Sequence, residues 1–272
     1  MSQGWKIITL HDLSWIKSPY ADPLGGQLNP DQFEDLVQFL GNEFELKSPV
    51  EALKAIEAGE TPDNWLSFWF DDGFSGVRLY AEPILKKYGL NSIQSVTGSL
   101  VNGKPTWRHY QAATVDLERA FSRTDTLNQF NLKETQNKTF NQVSSFWPFD
   151  NWGQTKALKA KGWDIGNHTM NHYPIGEKTA ACVFVEEFAE MNELMEKENL
   201  KSPFLVLPFD RENYRVEQVF EHHQAQFSDQ YLVLMGNRKN VPENIEKRVI
   251  YRYYLPSTKP KETLNFLHNY NH

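Results

Sequence analysis

The order of apolar runs along the chain limits its fold more than any other sequence feature. Short apolar runs at residues 7–10, 65–70 and 204–207 have the length and composition of buried strands. Between them lie longer segments, such as 178–198, in which apolar residues recur at helical spacing. Strands that alternate with helices are typical of a parallel sheet covered by helices. The sequence therefore predicts an α/β fold, and 272 residues is a common length for an α/β barrel.

We expect residues 1–272 to form a single domain. Residues 106–121 are predicted to be helical, and the polar stretch at about 122–148 has such poor periodicity that we interpret it as an insertion. The chain carries 28 basic and 35 acidic residues, a net charge of −7, without a block of basic residues. This composition argues against nucleic acid as a partner. The 18 Phe, 11 Tyr and 8 Trp can fill a core or line a sugar-binding cleft, and composition leaves both open.

Cysteine content and the first residues bear on the cellular compartment. Cys182 is the single cysteine, so no disulfide can form within the chain, which suits a reducing compartment. The first residues lack a charged region followed by a long apolar region, and no stretch is apolar enough for a membrane span. We therefore expect a cytoplasmic protein with no membrane span.

Two adjacent carboxylates, Asp71 and Asp72, follow the apolar run at 65–70 and precede Gly73. On a regular strand the two side chains would point to opposite faces, but a glycine turn at the strand end lets both approach one site. An Asp-Gly pair is also common in ordinary turns. The triplet alone therefore leaves a catalytic and a purely structural interpretation open.

Two imidazoles, His168 and His172, stand four residues apart after a short predicted strand at 163–166. Their rings share a face on one helical turn and can also converge in a loop, although a pair of structural histidines is the alternative. One carboxylate with two histidines is a sufficient ligand set for a catalytic zinc-type ion, and a spare carboxylate beside it can act as a base. Both motifs follow strands, and catalytic groups collect at the carboxyl ends of the strands in parallel barrels.

The two motifs resemble those of the polysaccharide deacetylases, which are also called NodB-homology or carbohydrate esterase family four enzymes. Residues 69–73, Trp-Phe-Asp-Asp-Gly, are similar to the first motif of the family. Residues 162–172, which end in His-Thr-Met-Asn-His, are similar to the second. The helix and strand after the first motif agree as well, and the resemblance runs from about Trp65 to Leu207. It implies a distorted (β/α)7-type barrel that removes an acyl group, usually acetyl, from an amino sugar.

The resemblance also implies roles for individual residues. Asp72, His168 and His172 would hold a divalent metal ion, with zinc as the expected metal, and Asp71 would be the general base. Thr169 would support the loop by hydrogen bonding. The partner would be a carbohydrate substrate, an N-acylated amino sugar, in bacterial surface-polysaccharide metabolism.

The third motif of the family departs from its usual pattern in this chain. After the run at 204–207, Pro208 and the aromatic Phe209 are kept, but an aliphatic residue occupies the arginine position, and Arg211 is a candidate to replace it. We expect Phe209 to contact substrate, and a backbone N–H near Phe209, together with the metal, to stabilise the oxyanion. Trp107 and His109 belong to a segment similar to that of a subset of the family, and we expect them to bind substrate as well.

The late Leu-x-His motif, which usually supplies the proton donor, is also missing, because the strand predicted at 248–253 has no histidine. His11, directly after the first strand, is the main candidate for this acid, and His109 is the second.

These departures leave several functions open. The chain keeps two carboxylates and two imidazoles, those of Asp71, Asp72, His168 and His172. This favours a metal-dependent carbohydrate deacetylase, because a relative that had lost its activity would have no reason to keep them. Loss of the arginine and the late histidine favours a catalytically impaired relative that binds a glycan or a nucleotide-sugar. A metal-stabilised protein with unrelated chemistry is the third possibility, since a fold alone does not determine function.

Overall fold

A computed structural model describes residues 4–16, 18, 27–104, 147–173, 181–209 and 214–269. The strands are β1 (Trp5–Leu10), β2 (Glu45–Leu46), β3 (Trp65–Phe70), β4 (Ile93–Val96), β5 (Asp164–Asn167), β6 (Phe204–Val206), β7 (Tyr231–Met235) and β8 (Val249–Tyr254). The helices are α1 (Pro30–Gly41), α2 (Pro49–Glu57), α3 (Glu82–Lys87), α4 (Gly98–Val101), α5 (Trp152–Lys159), α6 (Ala181–Lys197), α7 (Tyr214–His222), α8 (Pro242–Glu246) and α9 (Pro260–Asn269). A π-helix, Val77–Ala81, directly precedes α3.

Seven parallel strands form a closed barrel. Their order around the sheet is β1-β8-β7-β6-β5-β4-β3, and pairing of β1 with β3 closes the ring. The closing pair runs in register from Trp5 opposite Trp65 to Leu10 opposite Phe70. The short strand β2 adds to the first half of β3. The predicted distorted (β/α)7-type barrel is therefore confirmed.

Alternate residues of the strands separate an inner core from an outer one. The inner cluster packs strand residues against the apolar side of α2 and against Ile245 of α8; its strand members are Trp5, Ile7, Trp65, Trp69, Ile93, Phe204, Val206, Tyr231, Val233 and Ile250. Residues of the opposite parity, such as Ile8 and Phe70, pack outward together with the buried side of α1. Because α2 precedes β3 and α8 precedes β8, these helices cover the amino ends of the strands. The carboxyl ends are left for the functional groups.

Helix boundaries follow the local sequence. Pro30 begins α1, and Asn29 and Gln32 form a reciprocal capping box, with Asn29 Oδ1 accepting from the Gln32 N–H at 2.8 Å. The helical stretch that follows the first motif is divided into the π-helix and α3. Pro83 has no N–H and its ring would clash with a carbonyl one turn earlier in a regular helix. The Glu82 N–H bonds to the Val77 carbonyl, which is the π-helical spacing that accommodates the proline.

Two predicted segments lie outside the described ranges. The helix predicted at 106–121 lies there, as does nearly all of the insertion predicted at about 122–148. Cys182 is exposed in α6. Among the helices that the structure describes, none is long and apolar enough to cross a membrane.

Candidate active site

Three side chains with metal-binding donor atoms meet at the carboxyl ends of β3 and β5. Oδ1 of Asp72 lies 2.8 Å from Nε2 of His172 and 3.4 Å from Nε2 of His168. One donor atom from each residue lies within 4.8 Å of the other two, and all three residues are buried. Two zinc ligands, each about 2.1 Å from a tetrahedral ion, are about 3.4 Å apart. The donor set and its spacing therefore fit a divalent cation.

A left-handed turn brings Asp72 to this position. Asp72 has φ 71° and Gly73 has φ 80°, so the chain reverses direction directly after β3. Aspartate tolerates this region better than most residues, and glycine enters it without cost. The Gly73 carbonyl accepts from the Asp150 N–H at 2.9 Å, and Arg78 donates to both carboxylate oxygens of Asp150 at 2.8 and 2.9 Å. This partly buried ion pair fixes the returning chain against the turn.

The loop that carries the two histidines is strained and is fixed by its own hydrogen bonds. Thr169 has φ 66° and His172 has φ 56°, values that cost about 1–3 kcal/mol each for residues other than glycine. Oδ1 of Asn167 accepts from the Thr169 N–H at 2.9 Å, and Thr169 Oγ1 accepts from the His172 N–H at 3.1 Å. The hydrogen-bonding role predicted for Thr169 is confirmed. Strain held in this way is typical of functional loops.

The orientation of His168 leaves Nε2 as its metal-facing atom. Its Nδ1 lies 2.8 Å from the carbonyl oxygen of Val206 on β6, so Nδ1 carries the proton and donates it. The lone pair of Nε2 then faces Asp72. A backbone carbonyl that fixes the tautomer of a ligating histidine is a recurrent feature of metal sites.

Arg252 of β8 places a guanidinium against the second aspartate. Its Nη1 donates to Asp71, at 2.8 Å from Oδ1 and 2.9 Å from Oδ2, and both side chains are buried. The guanidinium carbon also lies 5.4 Å from the centroid of the Trp69 ring. Arg252 is not part of either sequence motif, although its position two residues after the inward-facing Ile250 is a signal that its side chain enters the barrel mouth.

The charges around Asp71 keep it ionised. Burial is the largest influence and by itself raises the pKa of the carboxyl. The positive charge and hydrogen bond of Arg252, with smaller effects from His168 and His11, outweigh burial, so the pKa of Asp71 lies below its usual value. A buried carboxylate is thus available as a proton acceptor directly beside Asp72, His168 and His172.

The other predicted site residues fall into two groups. His11, half-buried after β1, is close enough to influence Asp71 electrostatically. The Phe209 ring lies 4.6 Å from the His172 ring, between centroids, and Phe209 has φ 54°. The remaining predicted residues, Trp107, His109 and Arg211, lie outside the described ranges.

A buried glutamate of α6 supports the histidine loop from behind. The carboxylate of Glu187 accepts from the Asn171 N–H at 2.7 Å and from Asn171 Nδ2 at 2.8 Å. Ser99 Oγ donates to Asn171 Oδ1 at 2.8 Å, and the Glu187 carbonyl accepts from the Met170 N–H at 3.1 Å. Glu187 therefore holds the residue directly before His172 on two sides.

Glu187→Gln is expected to weaken metal binding about 10- to 100-fold, the usual effect of losing a partner that orients the ligands. One oxygen acceptor becomes an NH2 donor that faces the donors of Asn171, so the loop relaxes from its strained form. Competition with a chromogenic chelator measures the change. Glu186→Gln, on the exposed side of the same helix, is the matched control and should bind metal as the wild type does. Equal affinities for both variants would contradict this role.

Comparison with known proteins agrees with this geometry. A family model described as polysaccharide deacetylase matches residues 58–227, which is more than half of the chain and includes both motifs. The chain belongs to the polysaccharide deacetylase family. Membership of this family is what the two motifs predicted, and the prediction is confirmed. No curated protein sequence matches this polysaccharide deacetylase.

Solved structures similar to this polysaccharide deacetylase cover nearly the whole chain at low identity. The Streptococcus pyogenes deacetylase PplD, in complex with acetate, is 19% identical with a TM-score of 0.64, covering 98% of this chain and 99% of that chain. IcaB from Ammonifex degensii is 15% identical with a TM-score of 0.63, covering 98% of each chain. A de-N-acetylase from Aggregatibacter actinomycetemcomitans is 15% identical with a TM-score of 0.62, covering 97% of this chain and 99% of that chain. The similarity establishes a shared barrel fold.

Proposed function

We propose that this chain is a metal-dependent hydrolase that removes an acyl group, most simply acetyl, from the nitrogen of an amino sugar. The observation that carries the proposal is the convergence of Asp72, His168 and His172 beside an ionised Asp71, within a polysaccharide deacetylase. The PplD deacetylase in complex with acetate and the Aggregatibacter de-N-acetylase support acetyl as the group removed. We place the reaction in bacterial surface-polysaccharide metabolism, and the single cysteine suits a cytoplasmic location.

The three-residue group would hold the cation, and its carboxylate and imidazole donors suit zinc. When bound there, a divalent ion supplies Lewis acidity toward the acyl oxygen and toward water. Asp71 accepts the proton of the attacking water, because it is a carboxylate held ionised by Arg252. In this assignment the arginine keeps the base in place and in the correct charge state.

Collapse of the tetrahedral intermediate requires an acid that protonates the departing amine. His11 fits this role because it follows β1 at the same barrel end. Its charge is also near enough to lower the pKa of Asp71. An aspartate that takes up a proton and a histidine that gives one up form a complementary pair. Phe209 lines the substrate side next to His172, and its backbone N–H is our candidate oxyanion donor. We assign Trp107 and His109 to substrate binding as well.

Two measurements on the purified wild-type protein test the proposal. Elemental analysis should find about one equivalent of a divalent metal per chain, as expected for a three-ligand site. Acetate release should be detectable from at least one N-acetylated amino sugar in a panel of monosaccharides and oligosaccharides, and should stop on treatment with a chelator. A protein that binds metal and glycan but releases no acetate would instead be the catalytically impaired relative. A protein with neither metal nor acetate release would overturn the proposal.

A further inference from the structure

An exposed apolar pair lies on the loop after β1. The side chain of Trp15 is 58% exposed and that of Ile16 is 67% exposed. The other large apolar side chains that are exposed within the described ranges, Leu79, Tyr88 and Tyr254, are not adjacent to one another in sequence. Single exposed apolar residues are ordinary, whereas adjacent ones that include a tryptophan mark a contact surface.

Hydrogen bonds among the described residues of this loop, 11–16, 18 and 27–29, hold the backbone of the exposed pair. The Ser14 N–H donates to the Leu28 carbonyl at 3.0 Å, and the Ile16 N–H donates to Ser14 Oγ at 3.1 Å. The side-chain amide of Gln27 then joins the two sides of the loop, because its Nε2 donates to the Ile16 carbonyl at 2.7 Å and its Oε1 accepts from the Ser18 N–H at 2.9 Å. A fixed backbone lowers the entropy lost when an exposed side chain binds a ligand.

The pair lies at the barrel end that carries the catalytic groups. The Asp71 N–H donates to the Leu10 carbonyl at 2.9 Å, so the end of β1 is level with the aspartates. His11 follows at once, and Trp15 lies four positions further along the chain, a span of at most about 14 Å. The Leu13 carbonyl packs so closely on Gly76, in the chain just after the aspartates, that a side chain on the glycine would overlap it. The loop is therefore docked beside the candidate active site.

We propose that Trp15 is a stacking platform for a sugar unit of the substrate, one or more units away from the acylated sugar, with Ile16 at its edge. The proposal rests on the proposed function and assigns a substrate-binding role to a residue outside the catalytic group. The C–H face of a pyranose ring is apolar and flat, and an indole offers a large rigid face at the cost of few rotamers. A lipid surface is the competing partner, and the net charge of −7 gives no general attraction to anionic lipids.

Kinetics with substrates of different length test the platform. Trp15→Ala is expected to lower kcat/KM about tenfold on tetra-N-acetylchitotetraose, mainly through KM, with a much smaller effect on N-acetylglucosamine. Trp15→Phe keeps an aromatic face and should recover most of the loss. Tyr88→Ala is the matched control, because Tyr88 is 38% exposed but follows α3 and precedes β4, at the opposite end of the barrel. This control should leave both substrates unaffected.

Calorimetric titration of the same tetrasaccharide into each variant gives a readout that does not need turnover. Weaker binding by Trp15→Ala, with no change in Tyr88→Ala, supports the platform. This holds even if the wild type releases no acetate, a result that would count against the proposed function alone. Equal losses on monomer and tetramer, or no loss in either assay, would overturn the platform. If the wild type sedimented with phosphatidylcholine vesicles and Trp15→Ala did not, while tetrasaccharide binding was the same in both, the exposed pair would be assigned to a membrane instead.

Discussion

Asp71→Asn is expected to abolish measurable acetate release while leaving bound metal nearly unchanged, and Asp72→Asn is expected to lose the metal itself. The two carboxylates are adjacent in sequence, but the left-handed turn at Asp72 sends them to different partners. Asp72 Oδ1 faces both imidazoles, whereas Asp71 faces the guanidinium of Arg252. The division of roles follows from this geometry.

The size of each effect follows from the chemistry that is removed. Loss of a general base lowers turnover by about 100- to 10,000-fold, and an asparagine cannot accept the proton of water. In Asp71→Asn the new amide oxygen can still accept a hydrogen bond from Arg252, which keeps the two side chains together, although the buried guanidinium loses its counter-charge and stability falls by about 3–5 kcal/mol. In Asp72→Asn the side chain offers only a neutral oxygen where the cation needs a charged ligand, so affinity for the metal falls.

Metal content after gel filtration, measured together with acetate release, separates the two variants. Circular dichroism of both variants shows whether either effect is due to unfolding. Equal loss of metal from Asp71→Asn and Asp72→Asn would show that the assignment of base and ligand is wrong. Full activity of Asp71→Asn with bound metal would show that another group takes the proton.

The motifs could be predicted because each consists of consecutive residues. A strand, a turn glycine and two carboxylates lie within residues 65–73, and the histidine pair lies within one loop, so local pattern and strand ends were sufficient. The start of α1 at Pro30 is readable for the same reason, because proline favours the first position of a helix. The π-helix was not, because its position depends on how the chain accommodates Pro83 against the barrel.

Arg252 could not be found in this way, since 181 residues separate it from Asp71. Only closure of the barrel, with β1 between β8 and β3, brings the two side chains together. Glu187 could not be found for a similar reason. Its hydrogen-bond partner Asn171 lies in the histidine loop, and the two residues meet only when α6 packs against that loop. A single sequence shows the charge of such residues but not the strand or loop that they face.

Arg252→Met is expected to lower the free energy of unfolding by about 3–5 kcal/mol, the usual cost of leaving one member of a buried ion pair without its partner. Asp71 would then be a buried carboxylate whose pKa rises, because burial is its largest influence and Arg252 is the main opposing charge. Acetate release should fall as well, since the base becomes protonated more readily. Urea denaturation of the metal-free protein measures the loss of stability.

The double variant Asp71→Asn/Arg252→Met distinguishes a true ion pair from general loss of packing. With both charges removed, neither side chain carries an uncompensated buried charge, so most of the stability should return while activity stays lost. Lys156→Met is the matched control, because its ion pair with Glu198 is largely exposed and should contribute no more than about 1 kcal/mol. A double variant no more stable than Arg252→Met would mean that Arg252 acts through its contact with Trp69 rather than through its charge. Recovery of stability would show that the cost of Arg252→Met comes from the unpaired buried charge that it leaves on Asp71.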